Sequence, residues 1–80
     1  MNIEHMVQMA NDIAAFFDGE SPGTAAADAV ATHLTRYWVP VMRKQIVAHI
    51  EQGPGGLAPT AYAAIQKLAR EQQANAAKSA

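Results

Sequence analysis

Every proline and glycine of this 80-residue chain falls in one of three places: Gly19 to Gly23, Pro40, and Gly53 to Pro59. Proline lacks a backbone N–H and its ring clashes with the preceding helical turn, and glycine weakens a helix interior. These three interruptions therefore divide the chain into four segments before any other residue is considered. What lies between them is rich in helix formers. Eighteen alanines stand against five aromatics, Phe16, Phe17, Tyr37, Trp38 and Tyr62. No run shows the period-two alternation of a strand, and no internal repeat or heptad array is present.

Each segment carries a helical apolar period. In the first, Ile3, Met6, Val7, Ala10, Ile13, Ala14 and Phe17 share one face, predicting a helix from about Ile3 to Asp18. Asn2 is placed to cap it and Glu4 to complement its dipole. Met9 and Phe16 lie beside this stripe and widen the apolar surface. In the second, Ser21 reads as an N-cap with Pro22 at the first turn, and Thr24 is an alternative cap. Its stripe is Ala27, Val30, Ala31, Leu34, Tyr37 and Trp38. Pro40 forces a break or a sharp kink at Val39 and starts a third helix, with Met42, Ile46, Val47, His49 and Ile50, ending near Glu51. Pro59 opens a fourth, with Tyr62, Ile65, Leu68 and Ala69. From Gln72 the stripe stops. The expectation is an all-α bundle of three to four helices over residues 1–70, with a frayed, flexible tail over 71–80.

Several classes of function are excluded by what is missing. There is no cysteine, hence no disulfide, no thiolate metal site and no cysteine nucleophile. His5, His33 and His49 have no second histidine at helical spacing, so no metal ligand set is predicted. The seven carboxylates are scattered singly, Ser21 is explained as a cap, and Ser79 lies in the tail. No catalytic residue is predicted. The Gly53-Pro54-Gly55-Gly56 segment follows a helix and is followed by no lysine, so it reads as a helix linker rather than a phosphate loop. A net charge of −1 argues against a nucleic-acid binder that depends on bulk positive charge. No apolar run approaches 18 residues, and the N-terminus has neither a basic nor an apolar leader region, so neither a membrane span nor a signal peptide is expected.

One stretch stands out: Arg36-Tyr37-Trp38-Val39-Pro40-Val41-Met42-Arg43-Lys44. It holds the only tryptophan, one of the two tyrosines and half of the six basic residues. One reading is a core aromatic pair flanked by solvated cations. The other is a recognition surface, because Trp, Tyr and Arg dominate binding hot spots. Two adjacent aromatics cannot both point into one small core. Arg36, Tyr37, Trp38, Met42, Arg43 and Lys44 are therefore the candidate partner- or anion-binding residues. Met9, Phe16 and His33 are candidates for additional interface. A small chain of this kind buries only about 60% of its unfolded surface, so a partner would add stability.

With these residues in view, the chain resembles the delta subunit of bacterial NAD-dependent, molybdenum-containing formate dehydrogenases. The likeness runs through His5 to Phe17 (HMVQMANDIAAFF), His33 to Arg43 (HLTRYWVPVMR), Ala48-His49-Ile50, and Gly55-Gly56-Leu57-Ala58-Pro59. Val39 and Val41 stand where that family commonly carries an acidic residue and an arginine, which lowers the local charge. The resemblance implies a non-catalytic accessory subunit or maturation chaperone of a cytoplasmic enzyme. Its implied partner is the catalytic alpha subunit, together with a dedicated cofactor-insertion chaperone. It implies no stably bound cofactor, only transient contact with bis-molybdopterin guanine dinucleotide or a guanine nucleotide. Two readings from the residues stand beside it: a small helical nucleotide- or nucleic-acid-binding regulator, and a structural dimerisation module forming a homo-oligomer.

Overall fold

The computed structural model describes the backbone of residues 2–21 and 24–79 and the side chains as far as Ala74. Four α-helices follow one another: α1 (Ile3–Glu20), α2 (Thr24–Tyr37), α3 (Pro40–His49) and α4 (Pro59–Ser79). A 3₁₀ turn, Ile50–Gln52, extends α3. No strand occurs among the described residues. Helix α4 packs against all three of the others, most extensively against α2.

Local chemistry sets the helix limits. The side chain of Asn2 caps α1 by accepting the Glu4 N–H at 2.8 Å. The helix runs on through Gly19 and Glu20, beyond the expected end at Asp18. It stops where Ser21 turns extended and its N–H donates to the Phe17 carbonyl. Ser21 thus closes α1. The expected Ser21–Pro22 cap of α2 depends on Pro22, which lies outside the described residues, and α2 is helical from Thr24. Val39 is extended, as the residue before a proline should be, and Pro40 occupies the first turn of α3. The break at Pro40 separates two helices rather than kinking one. The backbone of α4 stays helical to Ser79, past Gln72, where the apolar stripe stops.

The core is small and built largely on alanine. Met6, Ala10 and Ala14 of α1 meet Val30, Ala31 and Leu34 of α2, Ile46 of α3, and Ala61, Ala64, Ile65 and Leu68 of α4, and Ala26 of α2 is buried as well. Alanine at the contacts lets helix axes approach closely but buries little area per residue. The large side chains therefore carry most of the burial. The expected stripes are corrected in phase at two places. Ala26 is buried in place of Ala27, and Ala61 and Ala64 lie deeper than Tyr62 and Ala69, which are half-buried.

The α3–α4 connection is held by two side chains. Leu57 N–H donates to the Pro54 carbonyl, closing a turn whose central residues Gly55 and Gly56 both have positive φ, 56° and 88°. The His49 ring sits against Gly55, and its Nε2–H donates to the Gly55 carbonyl at 2.9 Å. Asn11 of α1 spans the loop from the other side. Its Nδ2 donates to the Gly56 carbonyl at 3.0 Å and its Oδ1 accepts the Ala58 N–H at 2.8 Å. Ala58 occupies the N-cap position just before α4, since its carbonyl accepts the Tyr62 N–H. Asn11 therefore caps the start of one helix from the middle of another. Thr60 adds a hydrogen bond to Asp18, and Lys67 pairs with Asp28 between α4 and α2.

Two expected outcomes follow from this packing. Trp38→Ala, which empties a site only 6% exposed, should cost about 3–5 kcal/mol in urea unfolding, most of the stability of a domain this size. Gly55→Ala places a Cβ 2.1 Å from His49 Nε2 at a positive φ; it should cost at least ~1–2 kcal/mol. That loss should shrink in a His49→Ala background if the clash contributes as the geometry states.

Candidate functional site

The α2–α3 elbow sorts its two adjacent aromatics to opposite sides. Residues one apart on a helix lie about 100° apart in projection, so only one can face the core. Trp38 turns inward and joins Leu34, Ile46 and Leu68 in the buried cluster. Tyr37 turns outward and is 70% exposed. The Trp38 indole is therefore a core element, and Tyr37 is the ring of the pair left at the surface. Met42 and Met9 move in the same direction, because both pack against that cluster and are only partly open to solvent.

Arg43 is also explained from within. Its Nη1 donates to the Thr35 carbonyl at 3.1 Å and to the Trp38 carbonyl. The last carbonyls of α2 have no helical N–H partner, and a guanidinium reaching back across the break satisfies them and opposes the helix dipole. Thr35 uses its own hydroxyl on the Ala31 carbonyl. Arg43 thus staples α3 to the end of α2, a role the spacing did not disclose. Arg36 and Lys44 are different. Both are exposed, and neither has a hydrogen bond or ion pair among the described residues.

On the other flank the exposed Tyr37 continues into a row of rings. The His33 ring lies 4.7 Å from that of Tyr37, tilted by 45°. Phe17 meets His33 edge-on at 6.1 Å, and Phe16 meets Phe17 edge-on at 5.2 Å. These spacings fall within the range of favourable aromatic pairs. Phe17, His33 and Tyr37 line a shallow groove of ≈ 350 Å³ that Arg36 and Thr32 complete. Phe16, at 63% exposure, stands at the outer end of the row. The structure therefore brings together Phe16, His33, Arg36 and Tyr37 from the sequence candidates and adds Phe17, a member of the α1 apolar stripe.

Among the described residues no three His, Asp or Glu side chains converge as a metal ligand set would. Among the described residues no buried side-chain N or O lacks a hydrogen-bond partner. No described helix is long and apolar enough to cross a membrane. What the fold presents is a small helical domain with aromatic side chains on its surface. Residues 5–65 match the protein family described as NADH-dependent formate dehydrogenase delta subunit FdsD, and the chain belongs to that family. Comparison with curated proteins and with solved structures finds no match.

The staple role of Arg43 separates it from its neighbour. Arg43→Ala should lower stability in urea unfolding by about 1–2 kcal/mol. Lys44→Ala, with nothing to lose within the fold, should stay within about 0.5 kcal/mol of the parent.

Proposed function

We propose that this delta subunit is a non-catalytic accessory subunit that docks on the catalytic subunit of formate dehydrogenase in the cytoplasm and supports its maturation. One observation carries the docking reading. Among the described residues, the large hydrophobic side chains left exposed are Phe16, Tyr37, Val39 and Val41. Phe16 closes the aromatic row, and the other three belong to the α2–α3 elbow. A chain that commits its only tryptophan to a thin core yet leaves two aromatic rings in water holds those rings for something else. Tyr and Phe supply large contact area at low entropic cost, which suits them as anchors in a partner's pockets. Membership in a formate dehydrogenase delta-subunit family supports another subunit of that enzyme as the partner.

The maturation part rests on the family resemblance. The bis-molybdopterin guanine dinucleotide cofactor belongs to the larger subunits in this reading. The delta subunit acts by holding the catalytic subunit in a state that accepts or retains that cofactor, with no stable cofactor of its own.

Co-expression with the catalytic subunit, followed by affinity purification and native mass spectrometry, tests both parts. A defined-stoichiometry complex is expected for the parent chain. A Phe16→Ser/Tyr37→Ser variant should lose at least ~2 kcal/mol of binding, about thirtyfold in affinity, while remaining helical by circular dichroism. Unchanged recovery of that variant would refute the aromatic docking surface. Equal molybdenum content in the catalytic subunit made with and without this chain would refute the maturation role.

A further inference from the structure

The net charge of −1 hides a strong separation. Helix α1 carries Glu4, Asp12, Asp18 and Glu20 and no lysine or arginine. Four of the six cations, Arg36, Arg43, Lys44 and Lys67, line two adjoining depressions between the end of α2, the start of α3 and the middle of α4. These depressions, ≈ 150 and ≈ 190 Å³, share Thr35 and Glu71. The second also shares Thr32 and Arg36 with the aromatic groove. Aromatic groove and basic groove are thus one continuous surface, with Arg36 on the boundary.

Two of the four cations are already engaged. Arg43 holds the carbonyls of Thr35 and Trp38, and Lys67 holds Asp28. Arg36 and Lys44 line different depressions. A small anion placed in either one meets one uncommitted cation. An extended chain with carboxylates in succession meets both.

Resting on the docking function above, we infer that this surface receives one amphipathic, acidic segment of the partner protein. Apolar side chains of that segment enter the groove lined by Phe17, His33 and Tyr37. Its carboxylates follow along the basic groove to Arg36 and Lys44. The apolar end sets how long the complex lasts, and the charged end sets how fast and in which direction the segment lands. Glu71, the one carboxylate in the basic groove, rejects a segment laid with a carboxylate opposite it, which contributes register.

Binding kinetics of the full chain with the purified catalytic subunit, compared at roughly 50 and 500 mM salt, test this. The parent affinity should fall about tenfold or more with salt, chiefly through slower association. Arg36→Glu/Lys44→Glu should bind weakly with little remaining salt dependence, and Arg36→Gln/Lys44→Gln should lie between that variant and the parent. Tyr37→Ala should instead dissociate faster at both salt concentrations and keep the salt dependence. Circular dichroism of each variant confirms that it is folded. A parent affinity indifferent to salt and to charge reversal overturns the inference while leaving docking intact. Displacement of the complex by inorganic pyrophosphate at constant ionic strength reassigns the basic groove to a phosphate ligand and also overturns it. Failure of the parent chain to bind the catalytic subunit removes the docking function and the inference together.

Discussion

Burial of the Trp38 indole at the point where Pro40 ends α2 is the contact on which the rest of the arrangement turns. The core is otherwise made of alanines and a few aliphatic side chains, and no other aromatic ring is fully inside it. Placing Trp38 inward fixes the rotation of the last turn of α2. Tyr37 is then outward by helix geometry alone. The outward Tyr37 meets His33 one turn back, and His33 meets Phe17 across the α1–α2 contact. The aromatic row follows from a single packing decision at the elbow.

The same break creates a polar problem whose solution shapes the opposite flank. Ending a helix at Tyr37 leaves carbonyls without donors. Arg43 supplies the donors from the first turns of α3, which fixes the angle between α2 and α3. It also places Lys44 beside the groove bounded by Leu68 and Glu71 of α4. Proline sets where the chain turns, and arginine sets how. A simple solvated-cation reading of Arg43 misses this, because its guanidinium is engaged within the fold by the carbonyls of Thr35 and Trp38.

Much of the architecture was legible because its signals are local. Pro40, Pro59 and the Gly53–Gly56 cluster mark helix limits through φ restriction and missing donors, and Asn2 and Val39 behave as such neighbours must. The large apolar residues Met6, Val30, Leu34, Ile46, Ile65 and Leu68 were placed correctly, since their periodicity is unambiguous. Alanine was the weak point. With one methyl group it does not fix the phase of a helix, so the sequence does not disclose that Ala26 lies deeper than Ala27, or that Ala61 and Ala64 are fully buried. The adjacency of Tyr37 and Trp38 showed that one must be exposed, but the choice between them depends on what α3 and α4 present. Asn11 reaching Ala58, His49 lying on Gly55 and Arg43 reaching Thr35 are tertiary pairings with no signature in spacing. Phe17 was read as core from its position in the α1 stripe; the ring is half-buried, with its outer side lining the groove.

An alanine-built core has a consequence for function. Close helix approach gives a well-defined shape, but each buried methyl contributes little, roughly a third of what a leucine or isoleucine supplies. A fold with a thin margin gains disproportionately when a partner covers its exposed rings, because binding to the native state alone adds directly to its stability. The elbow is suited to that coupling. The exposed aromatic and the core aromatic are consecutive residues, so in the proposed docking a partner that holds Tyr37 would also hold Trp38 in place. One helical turn thus supplies both the tryptophan of the core and the most exposed ring of the surface, and the proposed docking would couple recognition to folding there.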